Sequence, residues 1–176
     1  MVLQTVFTIY RDPDVPVSAI EDIVSHLDTT FDHFGICIRS EIIELKPVDG
    51  AYDEEREQYS ADSLINQCAR QMPPNAANDR SWFLYFVSDD LYHGDLNFVF
   101  GVGSHRRGAV ISLHRLEGKK DLLRKLTVHE TGHVFSLNHC RDKKCVMIFS
   151  NSLEELKQKG NEFCKECRKK LLRKVS

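Results

Sequence analysis

Three histidines and one glutamate fall within eleven residues of each other in the segment HETGHVFSLNHC, residues 129–140. His129 and His133 are four residues apart, which on a helix of 3.6 residues per turn puts them about 40° apart around the axis. Both imidazoles can then reach one ion. Glu130 sits on the shoulder of the same face, where a carboxylate can take a proton from activated water without itself being a ligand. His139 lies six residues past His133, too far along a continuing helix to reach the same ion. The helix must therefore end and the chain turn back. Three protein ligands leave a fourth position open for water or substrate, as a catalytic zinc site requires.

A second set of residues follows at once. Cys140, Cys145, Cys164 and Cys167 form two close pairs, C-x4-C and C-x2-C. Four thiolates are the donor set of a closed structural zinc site. Cys37 and Cys68 stand alone. His139 and Cys140 are adjacent, and neighbouring side chains of an extended segment point to opposite faces. One can serve the catalytic ion and the next a second ion, for two zinc ions per chain.

These groups need a scaffold. Residues 2–10 are β-branched and aromatic and predict a strand. Ile20, Ile23, Val24, Leu27 and Phe31 keep a helical period over residues 17–34, with Ser18 and Glu21 spaced as an N-terminal capping box and Gly35 as the stop. A second strand is expected over 36–45, an exposed acidic loop over 49–58, and a second helix from Ser60 through about Met72, ended by Pro73 and Pro74. Residues 81–88 (SWFLYFVS) are almost continuously apolar, as in a strand buried on both faces. Strands at 98–103 and 109–113 precede a long amphipathic helix over 119–137 that carries His129, Glu130 and His133. Short helices are expected near 152–159 and from Cys164. The order β-α-β-α-β-β-β-α is that of an α/β (α+β) fold with a mostly parallel five-stranded sheet. The connection into 98–103 is too short for a helical crossover, so that strand is expected to be antiparallel and on an edge.

The string HETGHVFSLNHC-RDKK-CVM-(16 residues)-CKEC resembles the archaemetzincins, small zinc-dependent proteases of the metzincin clan. The resemblance is specific from His129 to Cys167. It implies a metzincin-like fold with a twisted sheet, an active-site helix and a small zinc-bound C-terminal subdomain, dividing the chain into residues 1–138 and 139–176. It also implies that His129, His133 and His139 bind the catalytic zinc, that Glu130 is the general base, and that the four cysteines bind the second zinc. Met147 would be the methionine of the turn beneath the catalytic ion. Ser136 stands where the family usually has glycine, at the exit from the helix.

The function expected is zinc-dependent peptide hydrolysis, as an endopeptidase or an aminopeptidase. The edge strand, through Phe98, Val99, Phe100 and Gly101, would hold a peptide or protein substrate by strand addition. His105, Arg106 and Arg107 either reach the cleft rim to hold a peptide carboxylate or form a solvated basic turn. His26, His33, His93 and His114 are expected to be structural or surface residues. The alternative is a catalytically idle zinc protein that binds peptides or protein partners. The chain carries a net charge of −2, but from Lys119 onward it has 15 Lys+Arg against 7 Asp+Glu. Lysines within the cysteine loops account for part of this excess by offsetting the thiolates. The basic tail also lacks interleaved aromatics for base stacking, so nucleic acid is not the expected partner. No apolar run reaches membrane-spanning length, and no signal peptide is recognisable. A cytoplasmic monomer is expected.

Overall fold

The computed structural model describes residues 3–76 and 80–175; Val2, the first residue of the expected N-terminal strand, lies outside them. The elements are β1 (Leu3–Arg11), α1 (Val17–Asp32), β2 (Ile36–Glu44), β3 (Tyr52–Asp53), β4 (Gln58–Ser60), α2 (Ala61–Gln71), β5 (Ser81–Val87), β6 (Leu91–Tyr92), β7 (Gly101–Ser104), β8 (Gly108–Ser112), α3 (Lys120–Val134), α4 (Leu153–Gln158) and α5 (Lys165–Val175). The main sheet has the order β2-β1-β5-β8-β7. All its pairings are parallel except β7 on β8, which is antiparallel and on the edge. The α/β architecture expected above is the one observed.

The central strand explains the layering. Side chains alternate across a strand, and both faces of β5 are covered. Trp82, Leu84 and Phe86 join Phe7, Ile9, Ile111 and the inner faces of α1 and α3. Phe83, Tyr85 and Val87 join Tyr10, Val110 and Leu64, Ile65 and Cys68 of α2. Each large apolar side chain fully buried in this way contributes about 1.5–3 kcal/mol. Phe135, just past α3, stacks edge-on against Trp82 at 5.0 Å and packs on Phe31 at 5.1 Å. The end of α3 is thus held against both the sheet and α1.

Three local expectations give way. The helix α1 begins at Val17 with Pro16 in the cap position, and no side chain caps it. Proline has its φ already fixed for helix entry, so Ser18 falls inside the first turn and makes no capping box. Residues 49–58 are not a plain loop. They form a 3-10 turn and the β3–β4 hairpin, which joins β6 in a second, three-stranded sheet. Buried Gln58 closes this sheet by donating to Asp90 Oδ2 at 2.9 Å and Asn97 O at 2.8 Å. Arg115 grips the same Asp90 carboxylate with two bonds of 2.8 and 2.6 Å and lies 3.9 Å over the Phe98 ring. The third change concerns the edge strand. Phe98, Val99 and Phe100 lie outside β7, which starts at Gly101. Val99 bridges back to Leu91 instead, so the chain reaches the main sheet only after that detour.

Candidate metal centres

The helix α3 ends where a return of His139 toward His129 and His133 requires it to. Ser136 adopts φ 67°. Its N–H donates to His133 O at 2.8 Å, and Leu137 N–H donates to Gly132 O at 2.9 Å. That pair of bonds is a Schellman termination. A serine in the left-handed region costs on the order of 1 kcal/mol, and the turn forms nonetheless. It brings His139 back beside the helix, with ring centroids 4.8 Å from His133 and 5.4 Å from His129.

The three imidazoles each offer one ligand atom, and these lie within 4.8 Å of one another. His129 Nε2 and His133 Nε2 are 3.2 Å apart. Their other ring nitrogens are committed: His129 Nδ1 donates to Val146 O at 2.7 Å and His133 Nδ1 to Leu137 O at 2.8 Å. Such bonds fix the tautomer and leave Nε2 as the free lone pair. Burial holds His129 well below the ordinary histidine range and brings His133 down to about 4. Burial, and then the Lys159 ammonium, lower His139 as well. Neutral imidazole is the form that binds a metal, so this donor set fits a zinc ion.

Glu130 is buried next to them. Burial pushes its carboxyl up to about 8, against the pull of the Lys159 ammonium and an N–H from Gly103. That N–H comes from β7, which can lie against α3 because Gly103 has no side chain. A Cβ there would sit 2.6 Å from Glu130 O and 2.7 Å from His133 Cβ. Gly103→Ala must therefore push the edge strand off the helix. It is expected to cost about 1–3 kcal/mol in urea unfolding; an unchanged midpoint would show that the strand does not depend on this close approach.

Gly132 plays a similar part on the opposite side of α3. A Cβ there would come 2.5 Å from Met147 Sδ, so the buried Met147 packs directly under the helix between its two histidines. The carbonyl of the preceding residue, Val146, is the acceptor for His129.

The four cysteine sulfurs also lie within 4.8 Å of one another. Cys140 Sγ and Cys164 Sγ are 3.7 Å apart, far beyond the roughly 2.05 Å of a disulfide. Backbone N–H groups of Met147 and Cys164 point at Cys145 Sγ, at 3.4 and 3.3 Å. Burial raises both Cys145 and Cys167. Four thiolates in that space thus need a cation among them, and the N–H···S bonds suit the ionised form. Cys140 N–H donates to Met147 O at 2.9 Å, which ties the first cysteine to the turn that carries Met147.

A cleft of about 310 Å³ runs over the three histidines and Glu130. Phe98, Val99, Phe100 and Gly101 line it, although only Gly101 belongs to β7. Arg106 and Arg107 line a separate pocket with Met72 and Phe83, and Arg107 also donates to Asn66. The basic-turn alternative is therefore the one the structure supports for them. His93, expected to be structural or at the surface, stands on the cleft rim and bonds Asp62 at 2.9 Å. Two lysines had no signal in the sequence. Buried Lys125 donates to the carbonyls of Leu156, Lys157 and Lys159 at 3.0, 2.9 and 2.7 Å, holding the end of α4. Lys159 reaches the cleft itself.

Comparison with known proteins adds a second line of support. The family model described as peptidase family M54 matches residues 21–173. An archaemetzincin of Thermococcus kodakarensis is 31% identical over 177 aligned residues, covering 92% of each chain. One from Methanopyrus kandleri is 40% identical over 131, covering 71% of this chain and 72% of its own. The crystal structure of an archaemetzincin from Methanopyrus kandleri superposes with a TM-score of 0.85 at 30% identity, over 98% of this chain and 96% of the other.

Proposed function

This chain belongs to peptidase family M54, the archaemetzincins, and on that premise we propose that it hydrolyses peptide bonds with Glu130 as general base and zinc held by His129, His133 and His139. It is a zinc metallopeptidase by family. The observation that carries the assignment of residues is the convergence of three imidazoles beside a buried carboxyl group in one cleft.

Zinc held by the three histidines would supply Lewis acidity toward water and a peptide carbonyl. Val146 O and Leu137 O keep two of the imidazoles aimed through their Nε2 atoms. Glu130 takes the proton of the attacking water and returns it to the leaving amine. The Gly103 N–H orients that carboxylate. An extended substrate adds to the open side of β7, along Gly101–Ser104, with Phe98, Val99 and Phe100, which precede β7, as cleft wall.

A second zinc at Cys140, Cys145, Cys164 and Cys167 is part of the same proposal, for two per chain. Met147 supports the floor beneath the helix. The division into residues 1–138 and 139–176 places the sheet and active-site helix in the first part, with the third histidine and the thiolates in the second. Six free thiols suit a reducing compartment such as the cytoplasm.

Metal analysis with a cleavage assay tests the whole. The purified chain is expected to carry two zinc equivalents and to cut members of an internally quenched peptide library. A chelator should stop cleavage, and added zinc should restore it. A fully zinc-loaded chain that leaves every peptide intact would instead support the idle, peptide-binding alternative.

A further inference from the structure

Neither the histidine motif nor the thiolate cluster accounts for Lys159. It follows α4, is 5% exposed and lines the same cleft as Glu130 and the three imidazoles. Its Nζ lies 3.1 Å from His129 Nδ1 and 3.2 Å from Ile148 O. His129 Nδ1 gives its proton to Val146 O, so it cannot also accept one from an ammonium. An ammonium has three donors, and Ile148 O takes one. Among the described residues no carboxylate oxygen lies within 4.0 Å of Lys159 Nζ. A buried cation with unfilled donors is costly, yet the backbone that carries this one is pinned by Lys125.

The rest of the cleft sharpens the chemistry. Among its described lining residues Glu130 is the only carboxylate, and Gly103 N–H already holds it. The side-chain acceptors of Ser150 and Asn151 on its wall are neutral. Leu126 and Leu156 add apolar wall, where a charge-assisted hydrogen bond is stronger than in water.

We infer that Lys159 Nζ receives a carboxylate of the substrate, so that the cleft prefers peptides with an Asp or Glu side chain, or the chain-terminal carboxylate, beside the scissile bond. This rests on the peptidase reading above for the nature of the occupant.

Binding to the zinc-loaded Glu130→Gln protein tests it without turnover. The probes are fluorescent hexapeptides with Glu or Gln at each position in turn, and with a free or amidated C-terminus. At one position, or at the terminus, the carboxylate form is expected to bind about 10- to 100-fold more tightly. The two series tell the side-chain source from the terminal one. Adding Lys159→Met should erase the difference at unchanged zinc content, and Lys159→Arg should retain it. Equal affinities for every pair, no binding of any probe, or a preference that survives Lys159→Met would each overturn the inference. Should Lys159→Met fail to fold, Lys159→Gln, which also removes the charge, takes its place with the same expected loss. A carboxylate preference in a chain that never cleaves would sink the peptidase reading and leave this one standing; cleavage without the preference would do the reverse.

Discussion

Replacing Glu130 with glutamine is expected to lower peptide hydrolysis by about 10²- to 10⁴-fold, the usual range for one general base, with zinc content unchanged. Glutamine keeps the size of the side chain and can still accept the Gly103 N–H through its amide oxygen. It cannot take a proton from water. The substitution therefore separates proton transfer from the packing that lets β7 lie against α3. Turnover within a few-fold of the unsubstituted chain would mean that another group is the base. Lost turnover together with lost zinc would mean that Glu130 acts by holding the site together.

The second large effect is expected far from the chemistry. Cys164→Ser with Cys167→Ser removes half of the thiolate set. His139 adjoins Cys140, and the His129 acceptor Val146 O adjoins Cys145. Two of the three histidines thus rest on backbone that the thiolate site holds. Loss of outer support of this kind costs about 10- to 100-fold in metal affinity. Zinc titration of the double variant should show the thiolate equivalent gone and the remaining one bound more weakly by that factor. A full equivalent held as tightly as before, with unchanged turnover, would show the two sites to be independent.

Much of this centre was legible because its ligands are local in sequence. HExxH reports itself wherever a helix forms, since the period of the helix sets the angle between the two imidazoles. The helix exit was foreseeable from the position of His139 alone, and Ser136 does adopt the left-handed conformation that the exit requires. Lys159 was not legible. It meets His129 across 30 residues, and no spacing rule links a lysine after a short helix to a histidine on another. Gly103 was equally silent, because its role is a close approach between a strand and a helix. The β3–β4 hairpin is not legible in the sequence because an acidic, polar segment has little strand propensity. Its pairing depends on the buried contact between Gln58 and Asp90, 32 residues away. The sequence puts the edge strand three residues early because Phe98, Val99 and Phe100 have the composition of a strand, while Val99 pairs with Leu91.

The single peptide link between His139 and Cys140 has a thermodynamic consequence. In the two-zinc reading, if filling the thiolate site raises affinity at the histidines by some factor, filling the histidines must raise affinity at the thiolates by the same factor. Loading is then cooperative. When zinc is scarce, fewer chains then carry a single ion than two uncoupled sites of the same affinities would give. The fraction able to hydrolyse peptides would then respond more steeply to free zinc than a lone three-histidine site could.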